Sequence, residues 1–301
     1  MKVLITGATG LVGRELITLL VSKKIDVNYL TTRKSELNSI PNCKGFYWNP
    51  KNTEIDESCI DRVDKIIHLA GASVAKRWTE SYKKEITSSR VLSTQMLLKL
   101  LKTTKHQVTQ LVSASAIGVY KPSFTTLYTE ESLEFGAGFL ADVVQLWEKE
   151  VDKISKLNIQ VSKIRIGLVL SEKGGALLEL IKPINLYVGA PIASGKQFVS
   201  WIHIDDLVKI FAYIIDNNLD GVYNAVAPSP ETNKELTIAI AKQLKKPLFL
   251  PNIPKVVMKL TLGEMHKIIC ESQKVSSTKI QTAGFHFQYK ELSSALASLL
   301  S

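Results

Sequence analysis

Gly7, Gly10 and Gly13 stand three residues apart in Gly7-Ala8-Thr9-Gly10-Leu11-Val12-Gly13. Before them lies the apolar run KVLIT (2–6), and after them Leu11, Val12, Leu16, Leu19 and Leu20 recur at helical spacing. A strand that turns into a helix through glycines leaves backbone N–H groups pointing out of the helix start, where the helix dipole favours a negative group. In that context the pattern is a cradle for a dinucleotide pyrophosphate. Gly7, Thr9, Gly10, Leu11, Val12 and Gly13 are the expected cofactor contacts. Leu69, Ala70 and Gly71, which close the buried run KIIHLAG (65–71), should pass the same cofactor.

The end of the second strand selects the dinucleotide. An NAD site carries Asp or Glu there, about 20 residues beyond the glycines, to hold the ribose diol. Here VNYLTT (27–32) leads into Arg33 and Lys34, and the nearest upstream acid, Asp26, precedes the strand. Thr32 and Arg33 therefore point to NADP(H), with NAD(H) as the alternative, because a guanidinium fork suits a 2′-phosphate.

Other polar residues fall where a substrate would meet that cofactor. Ser115 closes the strand QLVSAS (110–115), Tyr120 lies five residues on, and His203 sits in SWIHIDD (200–206). These three are the candidate proton-transfer groups. Arg77 is a candidate for an acidic substrate group, with Trp78 beside it. Trp201 either stacks on a substrate or fills a domain seam. Arg165 interrupts an apolar strand and so needs partners, which places it among the loops around the cofactor. Asp205 or Asp206 should cap the helix over 205–216, Glu148 beside Lys149 reads as surface, and Asp142, three residues from Phe139, is a candidate to face the cleft, with a surface position as the alternative. His203 with these acids has no third ligand at metal spacing, so no metal is expected.

The elements that position these residues alternate. Strands over 2–6, 27–32, 45–48, 65–71, 110–115 and 161–170 are interleaved with helices from Leu11, over roughly 80–103 and through 136–149. That order predicts an α/β fold, a Rossmann-like doubly wound parallel sheet. Glycines and prolines then break the pattern. Residues 1–170, with 203–226 returning, are read as the dinucleotide-binding domain. Residues 171–202 and 227–301 are read as a smaller, mainly helical substrate or lid domain.

Composition sets the outer limits. The 301 residues are 45% hydrophobic and 22% charged, as in ordinary globular chains. No apolar run approaches the ~20 residues needed to cross a bilayer, and MKVLITGATG is no signal peptide. Cys43, Cys59 and Cys270 have no CxxC spacing and read as reduced, which fits a cytoplasmic protein. The net charge of +10 is scattered in runs of at most two, which argues against nucleic acid as a partner. It suits steering of a small, anionic substrate toward a cleft, in a monomer or homodimer.

Gly7–Gly13, HLAGAS (68–73), SASAIGVY (113–120) and IRIGLVLS (164–171) together resemble the extended short-chain dehydrogenase/reductase superfamily. KRWTESYKKEITSSR (76–90), FLADVVQLWE (139–148), SGKQFVSWIHIDDLV (194–208) and GVYNAVAPSPETNKE (221–235) narrow this to a subgroup, the NAD-dependent epimerase/dehydratase-like "epimerase family" proteins. The tail, from LPNIPKVVMKLTLGEM to TAGFHFQY, resembles that subgroup's C-terminal domain of unknown function. The resemblance implies an oxidoreductase or nucleotide-sugar-epimerase-like activity, and it matches Ser115 to the superfamily's substrate-binding hydroxyl. It also implies a Tyr with a Lys four residues on, yet those positions fall on Phe139 and Val143. A further resemblance, to a cyanobacterial and plastid-division protein, implies the alternative of a non-catalytic NADP(H)-binding redox sensor.

Overall fold

The computed structural model describes residues 1–300. β1 (Lys2–Thr6) runs into α1 (Leu11–Ser22), followed by β2 (Asp26–Thr31), β3 (Cys43–Asn49) and the two-residue β4 (Glu54–Ile55). Next come β5 (Lys65–His68), α2 (Glu80–Thr103), β6 (Gln110–Ala116), the short β7 (Leu127–Tyr128), α3 (Phe139–Asp152) and β8 (Gln160–Ile166). The chain continues through β9 (Leu168–Leu170), α4 (Ala176–Asn185), β10 (Phe198–Val199), β11 (Trp201–His203), α5 (Ile204–Asp216) and β12 (Gly221–Ala225). It ends with β13 (Glu231–Thr232), α6 (Asn233–Gln243), α7 (Lys255–Leu262), α8 (His266–Cys270), β14 (Lys274–Val275), α9 (Thr278–Thr282) and α10 (Leu292–Leu299).

Eight strands form one sheet in the order β12-β8-β6-β5-β1-β2-β3-β4. Every pair is parallel except β3 with β4. The strand order reverses between β1 and β5, so the crevice for a ligand opens where those two strands end, at Thr6 and His68. Val3, Leu4, Ile5, Ile66, Ile67, Leu111 and Val112 are wholly buried, because helices cover both faces of the sheet. Each such side chain contributes about 1.5–3 kcal/mol of burial.

The expected strand over 161–170 is two strands. At Gly167 the chain leaves the sheet, and β9 pairs with β11 instead of a sheet neighbour. A side chain at Gly167 would collide with the Ser200 carbonyl, and Leu168 N–H donates to that same carbonyl at 2.8 Å. A single glycine thus redirects the chain from the sheet toward the second group of elements.

That second group has its own apolar cluster, with Leu170, Leu177, Trp201, Leu236, Ile240 and Leu296 among its members. α6 is held at its start by a reciprocal pair, with the Thr232 hydroxyl accepting from Glu235 N–H and the Glu235 carboxylate accepting from Thr232 N–H. One stretch of the tail does not follow this grouping. Ile280, Phe285 and Phe287 pack into the cluster built on the large sheet. Among the described residues no helix is long and apolar enough to cross a membrane.

Candidate active site

The glycines between β1 and α1 are required by space. Gly7 has φ +71°, and a Cβ there would lie 2.7 Å from the Leu69 carbonyl carbon and oxygen. A Cβ on Gly13 would collide with the Gly7 carbonyl. The turn is therefore pressed against the end of β5, and a second tie holds it there. The Thr6 hydroxyl accepts from the N–H groups of Leu69 and Ala70, both at 3.1 Å, and pairs with His68 Nδ1 at 2.7 Å. His68 is buried, and desolvation together with the Arg90 charge pushes its pKa down to about 3, so the ring is a neutral strut.

α1 opens at Gly10 with no side-chain cap and no acid in its first turn. Its first N–H groups are thus left for an external acceptor, as a phosphate site requires. Thr9, Gly10, Leu11 and Val12 all reach solvent here, as do Leu69, Ala70 and Gly71. Thr32 and Arg33 are exposed just past β2. The Arg33 guanidinium holds only a 3.3 Å contact to Glu36, and the side chain is 69% exposed, so it is free to turn to a ligand. The expected cofactor residues line the three strand ends around one crevice, with Arg165 the exception.

Arg165 is buried and spent within the protein. Its Nε and Nη2 donate to the two oxygens of Glu148, each at 2.9 Å, and Nη1 donates to the Tyr120 hydroxyl at 2.9 Å. The expected cofactor contact is corrected: no guanidinium nitrogen points to the crevice unpaired. Glu148, expected at the surface, is the buried partner. Burial pushes its carboxyl up, but the Arg165 hydrogen bonds and charge, with help from Ser115 and Lys163, hold it below its ordinary range.

Ser115 and Tyr120 belong to the same network. The Ser115 hydroxyl donates to Glu148 at 2.6 Å. The Tyr120 hydroxyl donates to Asn224 Oδ1 at 2.8 Å while accepting from Arg165. Tyr120 is fully buried, and desolvation raises its phenol above the ordinary value despite Arg165. The structure therefore gathers two of the candidate proton donors into one locked cluster at the end of β6, with both sides of the phenol engaged.

His203 lies elsewhere. Its Nδ1 accepts from Asp205 N–H at 3.0 Å, making it the cap of α5 in place of the expected Asp205 or Asp206. The ring stacks on Tyr289 at 3.8 Å and is buried. Asp206 instead accepts from the N–H groups of Gln288 and Tyr289. Trp201 is wholly buried in the second apolar cluster and donates from Nε1 to the Ser229 carbonyl, so it offers no face to a substrate. Packing thus withdraws His203 and Trp201 from the proposed chemistry.

α3 begins at Phe139. Val143 is buried with Trp78 and Ile86, and Phe139 meets Trp78 edge to face at 5.0 Å. The helix face that would carry a tyrosine and a lysine is an apolar contact. Asp142 points to solvent. In front of this face a pocket is lined by Trp78, Tyr120, Gly138, Phe139, Lys267 and Glu271. Arg77 is exposed nearby, with its Nε within 4.0 Å of a Cβ built on Gly263. Lys267 and Glu271 escaped the reading of the sequence, since nothing in the spacing of the tail ties them to Phe139.

Comparison with known proteins matches residues 3–137 to the NAD dependent epimerase/dehydratase family and residues 253–299 to a domain of unknown function. An epimerase family protein of Staphylococcus epidermidis is 36% identical over 300 residues, covering 99% of both chains. The crystal structure of a human epimerase family protein, SDR39U1 (isoform 2) with NADPH, superposes with a TM-score of 0.87 at 30% identity, over 100% of this chain and 99% of that one. A nucleoside-diphosphate sugar epimerase from Corynebacterium glutamicum gives a TM-score of 0.80 at 31% identity, over 100% of this chain and 58% of that longer one.

Proposed function

Since the chain belongs to the epimerase family, we propose that it binds NADP(H) and acts as an oxidoreductase or epimerase-like enzyme on a small, anionic alcohol or carbonyl compound. The observation that carries this reading is the uncapped start of α1, pressed by Gly7 and Gly13 against the end of β5, with the exposed Arg33 at the end of β2. Gly7–Gly13 would hold the pyrophosphate, Thr32 and Arg33 the 2′-phosphate, and Leu69–Gly71 the inner part of the dinucleotide. When bound, the nicotinamide supplies a hydride donor or acceptor. The human relative solved with NADPH supports the same choice. Arg77 and Lys267 suit the acidic group of a substrate. Unpaired thiols at Cys43, Cys59 and Cys270 suit the cytoplasm.

The deciding experiment is a fluorescence titration with NADPH and NADH. NADPH is expected to bind more tightly, and Arg33→Ala should erase about 1.5–3 kcal/mol of the preference, the size of a charge-assisted contact. Equal affinities in the wild type would sink the assignment. A second reading has its own support, because Phe139 and Val143 make an apolar contact where the resemblance calls for a proton donor and a cation. On that reading the protein is an NADP(H)-binding redox sensor that binds and never turns over. Oxidation of NADPH with any member of a carbonyl panel excludes it.

A further inference from the structure

Glu271 ends α8 in the C-terminal part of the chain, yet it lines the pocket that Phe139 lines from the sheet side. Lys267, whose ammonium suits an acidic group of the substrate, is the one other pocket group left open among the described residues, and the rest are accounted for. Phe139 carries no proton to give. The Tyr120 hydroxyl is committed to Asn224 and Arg165. Glu264 is committed to Lys83 at 2.8 Å. Among the described residues none bonds the Glu271 carboxylate; only its backbone N–H is engaged, by the Lys267 carbonyl. A half-buried carboxyl, unpaired and facing a pocket, is placed to meet a ligand.

We propose, resting on the cofactor reading above, that Glu271 is the acid–base group of this pocket, exchanging a proton with the oxygen of an alcohol or carbonyl compound held against Trp78 and Phe139. In the reducing direction the substrate carbon takes a hydride from a reduced nicotinamide, the C=O π pair moves to oxygen, and that oxygen takes the carboxyl proton. The products are the alcohol, the oxidised nicotinamide and the Glu271 carboxylate, which regains its proton from water. In the oxidising direction the carboxylate takes the hydroxyl proton as hydride leaves the carbon for an oxidised nicotinamide. The acid absent from α3 is thereby supplied from across the pocket.

The surroundings fit that task. Burial raises the Glu271 carboxyl above its ordinary value, against the opposing charges of Lys267, Lys255 and His266. Glu264, Lys267 and the Tyr120 phenol are the other titratable groups on the pocket wall. A raised carboxyl keeps its proton to higher pH, which is what a general acid working near neutrality needs.

The test uses the full chain labelled with ¹³C-glutamate, the Glu271 carboxyl signal being identified by its loss in Glu271→Gln. Its titration midpoint in the cofactor-free protein should lie above that of an exposed glutamate, and a midpoint at or below that value overturns the proposal. With NADPH and a carbonyl panel, Glu271→Gln should lower kcat at least ~100-fold with NADPH affinity unchanged, and Glu271→Asp should restore part of the loss. Full activity in Glu271→Gln overturns the proposal, as does a wild type that binds NADPH but reduces nothing. A wild type that fails to bind NADPH overturns the cofactor reading instead, and the carboxyl titration then stands as the test of Glu271.

Discussion

Glu148 and Arg165 form the most consequential pair of single residues outside the glycine turn. Both are buried, and their two-pronged contact also organises Ser115 and Tyr120. Removing one member of a buried pair strands the other charge, which costs about 3–5 kcal/mol. Arg165→Met should therefore lower stability in urea by that amount, and Glu148→Leu added to it should recover part of the loss. The pH dependence follows from the depressed Glu148 carboxyl. Its contribution is present above the ordinary carboxylate value and is lost as pH falls through the lower folded value. Acid unfolding of the wild type should thus lie at lower pH than that of a Glu148→Gln variant. The sequence makes Arg165 legible as a residue in need of partners, because a lone guanidinium does not stay in an apolar strand. It does not make Glu148 legible. Beside Lys149 the acid looks solvated, and only the packing of α3 onto β6 and β8 turns it inward.

α3 shows how an element can be read correctly while its chemistry is not. The helix starts at Phe139, and its apolar face is plain in Val143, Val144, Trp147 and Val151. What spacing alone does not reveal is what meets the start of the helix, since Trp78, packed with Phe139 and Val143, comes from the loop after β5, and Glu271, which shares a pocket with Phe139, follows α8. Restoring the pair with Phe139→Tyr and Val143→Lys should change the rate on any accepted substrate by less than ~10-fold. The new lysine would enter a buried apolar contact, and the new phenol would lack a correctly placed partner. Single-turnover rates of the double variant check this, and a gain of several hundred-fold would show that the site had lost only its donor. A stability measurement belongs beside it, because a lysine at buried Val143 should also lower the urea midpoint. The cap of α5 is a similar case. Asp205 and Asp206 have the residue type of a cap, but the one that does the capping is His203, whose ring is fixed by stacking on Tyr289.

At the scale of the whole molecule, the alternation of strands and helices announces the parallel sheet, since buried strands read as continuous apolar runs and the connecting helices keep their period. The route of the tail is not announced, because helical spacing in a short segment does not say which core it serves. Residues 280–287 return to the large sheet's core after the chain has built a second one. Phe285 meets Tyr213 of α5 at 5.6 Å and Phe287 at 5.0 Å, both edge to face. The Tyr213 hydroxyl donates to the Ala283 carbonyl at 2.7 Å, and the Asp206 carboxylate takes the N–H groups of Gln288 and Tyr289. These ties cross between the tail and α5, which itself packs on α1 beside the glycine turn. Loss of a buried phenylalanine costs about 3–5 kcal/mol. If the tail were an independent unit, Phe285→Ala would lower only its own transition. The packing argues otherwise: Phe285→Ala should move a single urea transition, seen alike by tryptophan fluorescence and by far-ultraviolet circular dichroism, to lower denaturant. NADPH at 100 times its dissociation constant should shift the same transition back by ~2.7 kcal/mol, since a ligand held at the glycine turn stabilises whatever unfolds with it. Two separate transitions, only one of them sensitive to NADPH, would show that the tail folds apart from the sheet.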